Sequence, residues 1–158
     1  MIESFEKLEA VYRSLPGGPE LFAWFGKVPS FHDAEIVSCH LNRRAPSHLR
    51  IYTWVGDGSV DEKMYFKQLH KAVVTFELHE IVFLQLDGFS QQNVIGDLDI
   101  RRAAGDPRVL SYYDFNTTDD DFELHLDPCY GMDGMIRCRG VVITYVPGEP
   151  EDKLIRHK

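Results

Sequence analysis

The sequence predicts one α+β domain of mostly antiparallel β structure, a sandwich or a strongly curved sheet, with short N-terminal helices. Apolar residues at helical spacing occur near the N-terminus, and several alternating segments then follow one another without a linker between two cores. The chain has 158 residues, of which 44% are hydrophobic, so it is long enough to bury one core. We therefore predict that residues 1–158 form a single domain.

Two helices are predicted at the N-terminus. Between Ser4 and Ser14 the apolar residues recur at helical spacing, with Ser4 as the expected N-cap and Gly17-Gly18 as the stop. A second, shorter helix is predicted from Pro19 to Gly26, because proline suits a first helical position and glycine suits the end of a helix.

The remainder of the chain is predicted to be β structure with roughly seven strands. Alternation predicts strands within Ala34–Arg43, Leu49–Val55, Tyr65–Leu86, Val94–Arg101, Asp121–Leu126 and Met135–Val146. The third segment is expected to be two strands or one strand bent near His79-Glu80, and the last is expected to be bulged at Gly140. Residues 102–120 carry the strongest turn signals and are predicted to be the main loop.

Cysteine usage and the lack of a targeting pattern predict a cytoplasmic protein. Cys39, Cys129 and Cys138 are odd in number and lack the paired CxxC spacing of zinc sites, which favours free thiols in a reducing compartment. No apolar run is long enough to span a bilayer, and the first residues lack the pattern of a signal peptide. No membrane association is expected.

The charge is negative and uneven along the chain. The net charge is −8, and residues 81–158 contribute most of it, with 8 basic and 14 acidic residues against 9 and 11 in residues 1–80. An acidic surface repels phosphate backbones and attracts basic proteins, so nucleic-acid binding is disfavoured. The alternative is that the acidity serves solubility alone.

One constellation has the residue types of a metal or catalytic site. His32 and Asp33 precede a strand, and His125 and Asp127 share one face of a later strand, so the two pairs together can in principle bind a metal or exchange a proton. The structural alternative is a strand-entry cap in which Asp33 binds backbone amides and His32 is a buried, hydrogen-bonded imidazole. Because no HxH, HExxH, GxSxG or P-loop pattern is present, we predict no enzyme and no cofactor.

The candidate partner-binding residues lie in the main loop and combine aromatic with acidic side chains, a composition that suits docking against a basic protein. They are Tyr112, Tyr113, Asp114, Asp119, Asp120 and Asp121, with Phe115 beside them. The alternatives are that the aromatic side chains pack into the core and that the aspartates are a solvated loop or a calcium site. Tyr52 and Trp54, on the polar face of their strand, are a second candidate.

Four segments carry a family resemblance. They are Phe31-His32-Asp33-Ala34-Glu35-Ile36, Phe89 with Gln92-Asn93-Val94-Ile95, Leu126-Asp127-Pro128-Cys129-Tyr130-Gly131, and Ile136-Arg137-Cys138. In order and spacing, over residues 24 to 147, they resemble the immunity protein 50 family. Members are small bacterial proteins of polymorphic toxin systems, in which an immunity protein binds and neutralises a cognate secreted toxin.

The resemblance implies inhibition by binding, without catalysis. It transfers no set of functional residues, and it implies that Asp33 and Asn93 hold turns and that Gly131 forms a turn too tight for a side chain. Residues 102–115 depart from the family pattern. Because many antibacterial effectors are nucleases with basic surfaces, the acidic second half is the expected contact region.

The leading hypothesis is therefore a cytoplasmic immunity protein whose partner is a cognate protein toxin. Two alternatives remain open. One is a small metal-binding protein or enzyme that uses His32 and Asp33 with His125 and Asp127. The other is a homodimeric structural module with no toxin partner.

Overall fold

The computed structural model describes residues 2–56, 58–65, 67, 69–103 and 120–151. The elements are α1 (Ile2–Ser14), α2 (Gly18–Phe25), β1 (Glu35–His40), β2 (Ser47–Val55), β3 (Leu69–Asp87), β4 (Val94–Arg102), β5 (Phe122–Tyr130) and β6 (Asp133–Pro147). The predicted α+β class with mostly antiparallel strands is confirmed. Neither helix in these ranges has the length and apolar character needed to cross a membrane.

The strands form a closed barrel in the order β1-β2-β3-β6-β5-β4, with every neighbouring pair antiparallel. The barrel closes where β1 meets β4: the Ile36 amide donates to the Asn93 carbonyl at 2.9 Å, and the Ile95 amide donates to the Ala34 carbonyl at 2.8 Å. Of the two predicted geometries, the strongly curved sheet is the one that forms, and its curvature continues to closure.

The long strand β3 bends in its middle. Glu80 has a φ of 51°, and the register against β6 shifts between Ile81 and Phe83. The predicted bend near His79-Glu80 in a single kinked strand is confirmed. The predicted bulge at Gly140 is wrong, because Gly140 pairs regularly with His79 and the extra residue belongs to β3.

The two helices pack against two different strands of the barrel. α1 packs against β4 and α2 against β6, and the Ile143 amide donates to the Pro16 carbonyl at 2.8 Å. Gly17, at a φ of 84°, caps α2, and Gly26 ends it as predicted. The predicted N-cap at Ser4 is wrong, since α1 already begins at Ile2.

The core fills the barrel interior and continues under the helices. On β2 the residues Leu49, Ile51 and Thr53 point inward and are buried, whereas Tyr52 and Trp54 lie on the outer face. This alternation was predicted, and it follows from the two-residue period of a strand with one buried face. In the first half of β3, the residues predicted to share one face, Ala72, Val74, Phe76 and Leu78, are all buried in the core.

Candidate functional site

Most of the predicted partner-binding loop lies outside the described residues. This applies to Tyr112, Tyr113, Asp114, Phe115 and Asp119. Asp120 is exposed.

Asp121 does not fit the predicted surface role. It is 1% exposed, and its carboxylate accepts a hydrogen bond from Arg137 Nε at 3.2 Å. A buried carboxylate paired with a buried guanidinium stabilises that cation and is not accessible to a partner protein. We therefore remove Asp121 from the partner-binding candidates.

Arg137 is the centre of a buried charged network on the outer face of the barrel wall. Its side chain is 0% exposed, and Glu123, whose side chain is 6% exposed, lies 4.0 Å from its Nη1. His125 Nε2 lies 3.4 Å from the Glu123 carboxylate and 2.8 Å from Arg101 Nη2. His125 is thus held within a structural ion network.

The structure does not assemble the predicted site of His32 and Asp33 with His125 and Asp127. His125 belongs to the Arg137 network, and Asp127 is exposed, opposite Asp97 on β4. The residue that joins His32 and Asp33 is Cys129: one ligand atom from each of these three side chains lies within 4.8 Å of the other two. We call His32, Asp33 and Cys129 the ligand cluster.

The first two members of the ligand cluster lie in a strained turn before β1. Phe31 and Asp33 have φ values of 57° and 64°, a region that residues other than glycine rarely adopt. Phe31 anchors the turn, since it is 2% exposed and its ring packs against that of Phe76 with centroids 5.7 Å apart. The Asp33 amide donates to the Ile95 carbonyl at 2.9 Å, which ties the turn to β4. The backbone therefore fixes the turn and leaves both polar side chains outside.

The alternative of a strand-entry cap is also only partly correct. The His32 ring is hydrogen-bonded, with Nδ1 2.8 Å from the Gly96 carbonyl, but the side chain is 60% exposed rather than buried. The Asp33 carboxylate is 63% exposed and lies 3.6 Å from His32 Nε2. The main-chain amide of Asp33, rather than its carboxylate, makes the described bond to β4.

Two consecutive irregularities in the β4–β5 pairing position the third member. Val94 pairs with Tyr130 and Ile95 with Pro128, so Cys129 is an extra residue on β5; the next shift makes Gly96 an extra residue on β4. A Cβ at Gly96 would lie 3.0 Å from the Asp127 carbonyl and 3.4 Å from Cys129 Sγ. Bulges of this kind redirect side chains, and they are common next to functional sites.

The implied turn-holding roles of Asn93 and Gly131 agree with the structure. Asn93 is 2% exposed, its Oδ1 accepts hydrogen bonds from the amides of Ser90 at 2.9 Å and Met132 at 3.2 Å, and its Nδ2 donates to the Ser90 carbonyl. Gly131 has a φ of 89°, and a Cβ there would lie 2.6 Å from Asn93 Oδ1. Both residues serve the fold.

Strand pairing also creates an acidic surface that the sequence interpretation missed. Asp97 on β4 pairs directly with Asp127 on β5, and Asp87 on β3 pairs directly with Asp133 on β6. Asp127 and Asp133 occupy the next register position after the pair Leu126–Gly134, so the four residues continue one line across β4, β5, β6 and β3. All four are exposed. We call them the acidic row.

Among the residues that the structure describes, no Lys or Arg side chain forms an ion pair with the acidic row. In the described ranges, the ion pairs of Lys and Arg involve other carboxylates, as in Arg13–Glu9, Lys71–Glu149 and Arg139–Glu80. Asp87 ends β3 and Asp133 begins β6, whereas Asp97 and Asp127 lie within β4 and β5. The four aspartates line up only because of how the strands pair. β3 with β6 and β4 with β5 are paired strands that are distant in sequence.

Tyr52 and Trp54 lie on a different part of the barrel surface. Their rings are 5.6 Å apart on the outer face of β2, and both side chains are half-buried. An open groove of about 500 Å³ runs nearby, lined by Val73, Val146 and the charged side chains of Arg50, Glu149 and Glu151 among others. No aspartate of the acidic row lines this groove.

Comparison of the chain with protein-family models, with curated proteins and with solved structures finds no match in any of the three. Two features of the barrel surface are not explained by packing of the core: the acidic row and the ligand cluster.

Proposed function

We propose that this chain is a bacterial immunity protein that binds and neutralises a cognate toxin, with the acidic row facing a basic surface of that toxin. The acidic row is the observation that carries the proposal. Its position is in the acidic second half of the chain, which the sequence already favours as the contact region. The resemblance to the immunity protein 50 family supplies the biological class of the partner.

The acidic row lowers the stability of the sheet by charge repulsion, and this loss supports a role in binding. Like charges directly opposite each other on neighbouring strands destabilise a sheet, and the row contains two such pairs, Asp87–Asp133 and Asp97–Asp127. A surface that needs only solubility can alternate its charges and avoid this repulsion. A basic partner removes the repulsion on binding, so the lost stability is recovered in the complex.

The dimensions of the acidic row suit a protein interface. Neighbouring strands lie about 4.8 Å apart, so a line across four strands extends over about 15 Å. That is a substantial part of the width of an ordinary protein–protein contact. A concentrated negative surface also attracts a cationic partner over a distance and accelerates encounter, which suits an inhibitor of an intracellular toxin.

Two exposed aromatic side chains lie beside the acidic row and complete the proposed interface. Phe89 is 58% exposed, two residues after Asp87, and Tyr130 is 61% exposed, three residues after Asp127. Their turns touch, since a Cβ at Gly88 would lie 2.7 Å from the Gly131 carbonyl. Exposed aromatic side chains next to charge are typical of binding hot spots. The loop candidates Tyr112, Tyr113, Asp114, Asp119 and Asp120 remain predictions for the same partner.

A co-expression experiment tests the proposal. A candidate toxin domain from a neighbouring open reading frame is expressed with the wild-type chain, with Asp97→Asn/Asp127→Asn/Asp133→Asn, or with Phe89→Ser/Tyr130→Ser. The wild-type chain should protect the cells, and both variants should protect less. With the purified proteins, the aspartate variant should associate more slowly at low salt, and its association rate should depend less on salt.

A matched control removes the same amount of charge elsewhere. Glu6, Glu20 and Glu62 are exposed, and Glu→Gln at all three changes the net charge as much as the aspartate variant does. This control should protect as well as the wild-type chain. Equal protection by wild-type and aspartate variants would remove the acidic row from the interface, and failure of the wild-type chain to protect or bind would refute the toxin partner.

A further inference from the structure

The ligand cluster has the chemistry of a metal site and lies beside the proposed toxin interface, since Cys129 stands between Asp127 and Tyr130 on β5. We infer that His32, Asp33 and Cys129 bind a thiophilic divalent cation of the zinc class. The three side chains come from a turn before β1 and from a bulge in β5, about a hundred residues apart in sequence, and the closure of the barrel brings them together. The spacing of these residues in the sequence matches no metal-binding motif.

The distances are close to those that a metal ion requires. One ligand atom from each residue lies within 4.8 Å of the other two, and His32 Nε2 is 3.6 Å from Asp33 Oδ1. Tetrahedral coordination at usual Zn–N and Zn–S bond lengths separates neighbouring ligand atoms by about 3.5 Å. The His–Asp separation already has this value. Cys129 is exposed, and a small rotation of its side chain, away from the long 3.8 Å contact with the Ile95 carbonyl, brings its sulfur to the same separation.

The hydrogen bond of His32 prepares its other nitrogen for a metal. The Gly96 carbonyl only accepts hydrogen bonds, so Nδ1, at 2.8 Å, must carry the proton. In the neutral ring, Nε2 then has a free lone pair on the side where Asp33 lies. A backbone carbonyl on the second ring nitrogen is the usual way in which proteins orient a histidine that binds metal.

The backbone holds Asp33 and Cys129 close to each other. Asp33 has a positive φ, and its amide is bonded to the Ile95 carbonyl, while the Cys129 thiol donates to that same carbonyl at 3.8 Å. Gly96 has no Cβ, and a Cβ at this position would lie 3.0 Å from the Asp127 carbonyl and 3.4 Å from Cys129 Sγ. Strain in a fixed backbone is found where a precise arrangement of side chains is needed.

The donor set selects the class of cation. A thiolate, an imidazole and a carboxylate together favour zinc and similar transition metals over magnesium or calcium, which prefer oxygen ligands. Three protein ligands leave a fourth position for water, and the exposure of His32 and Asp33 places that position at the solvent. Asp97 and Asp127 flank Gly96 and Cys129 along their strands, so the local charge attracts cations.

Metal titration of the purified full chain tests the inference. Untagged protein, reduced and freed of metal by a chelator, is titrated with Co²⁺ and then with Zn²⁺. We expect one equivalent of Co²⁺ with the near-ultraviolet absorption of a sulfur-to-cobalt charge transfer, displaced by one equivalent of Zn²⁺. Cys129→Ser should abolish that absorption, and His32→Gln should weaken Zn²⁺ binding by at least about tenfold, the loss seen when even an outer partner of a metal ligand is removed.

Two controls separate this site from other candidates. Cys39→Ser removes a half-buried thiol on β1, and His48→Gln removes a member of the His48–Glu77–His79 group on the outer face of β2 and β3. Both should bind metal as the wild-type chain does. Absence of stoichiometric binding, absence of the sulfur absorption, or loss of binding in a control but not in Cys129→Ser would overturn the inference. Because no toxin is present in this assay, its outcome is independent of the proposed function.

Discussion

Replacing Asp127 by asparagine should make the isolated protein more stable. Asp127 pairs directly with Asp97 on β4, and on its other side Asp133 occupies the adjoining register position of β6. Asparagine keeps the size of the side chain and removes the charge. The substitution therefore relieves two repulsions without changing the packing of the barrel.

The magnitude follows from the strand geometry. Directly opposite residues have Cβ atoms about 5 Å apart, which places two carboxylates on an outer face about 6 Å apart. At that distance two unit charges in water repel by ~0.7 kcal/mol. A Debye length of about 8 Å at physiological salt reduces each repulsion to ~0.3 kcal/mol. Loss of both repulsions should raise the free energy of unfolding by ~0.6 kcal/mol at physiological salt and by about twice that at low salt.

Urea denaturation at two salt concentrations measures this change. The midpoint should move to higher urea at an unchanged m-value, and the gain should shrink at about 1 M salt, where the Debye length is about 3 Å. Glu62→Gln, on an exposed residue outside the strands, should shift the midpoint much less. An Asp127→Asn variant that is less stable than the wild-type chain at low salt would show that the acidic row stabilises the fold. It would refute the idea that repulsion within the row lowers stability.

Three further substitutions test which interactions stabilise the fold. Arg137→Met should destabilise the barrel by about 3 kcal/mol or more in urea denaturation, because it leaves Asp121 buried without its cation; an unchanged midpoint would refute this. Gly131→Ala should cost at least about 1 kcal/mol, because its φ is 89° and its Cβ has no space. Burial raises the pKa of Cys138 from 9.0 to about 12, so the folded chain retains a proton that the unfolded chain loses. Stability should therefore fall as the pH rises above 9.0, and Cys138→Ala should reduce that slope.

Local patterns were sufficient to predict most of the elements. The two-residue alternation of β2 and of the first half of β3 identified the inward residues correctly, because one face of each strand is buried in the barrel. The bend at His79-Glu80 was visible as a break in that alternation. The separate prediction of a bulge at Gly140 is wrong, because a slip in alternation does not show which of two paired strands has the extra residue, and here that residue belongs to β3.

Closure of the barrel and the arrangement of the surface depend on pairing that local patterns do not contain. The contact of β1 with β4 depends on a short register around Glu35 and Val94, stabilised by backbone bonds that any sequence can make. The acidic row needs the order β4-β5-β6-β3, in which β3 and β6 are distant in sequence. Asp121 was misjudged because its acidic neighbours suggested a solvated loop, whereas the buried Arg137 holds its carboxylate inside.

The segments that carry the family resemblance divide into two kinds once the fold is known. Asn93 and Gly131 are buried or sterically required, and the fold alone accounts for them. His32, Phe89 and Tyr130 are exposed and contribute little to the core.

The exposed residues lie on connected turns around the β4–β5 bulges, next to the acidic row. Burial in a core cannot explain exposed aromatic side chains, and solubility favours their absence. The buried residues thus hold this end of the barrel in place, and the exposed ones give it chemistry that a partner protein or a metal ion can recognise.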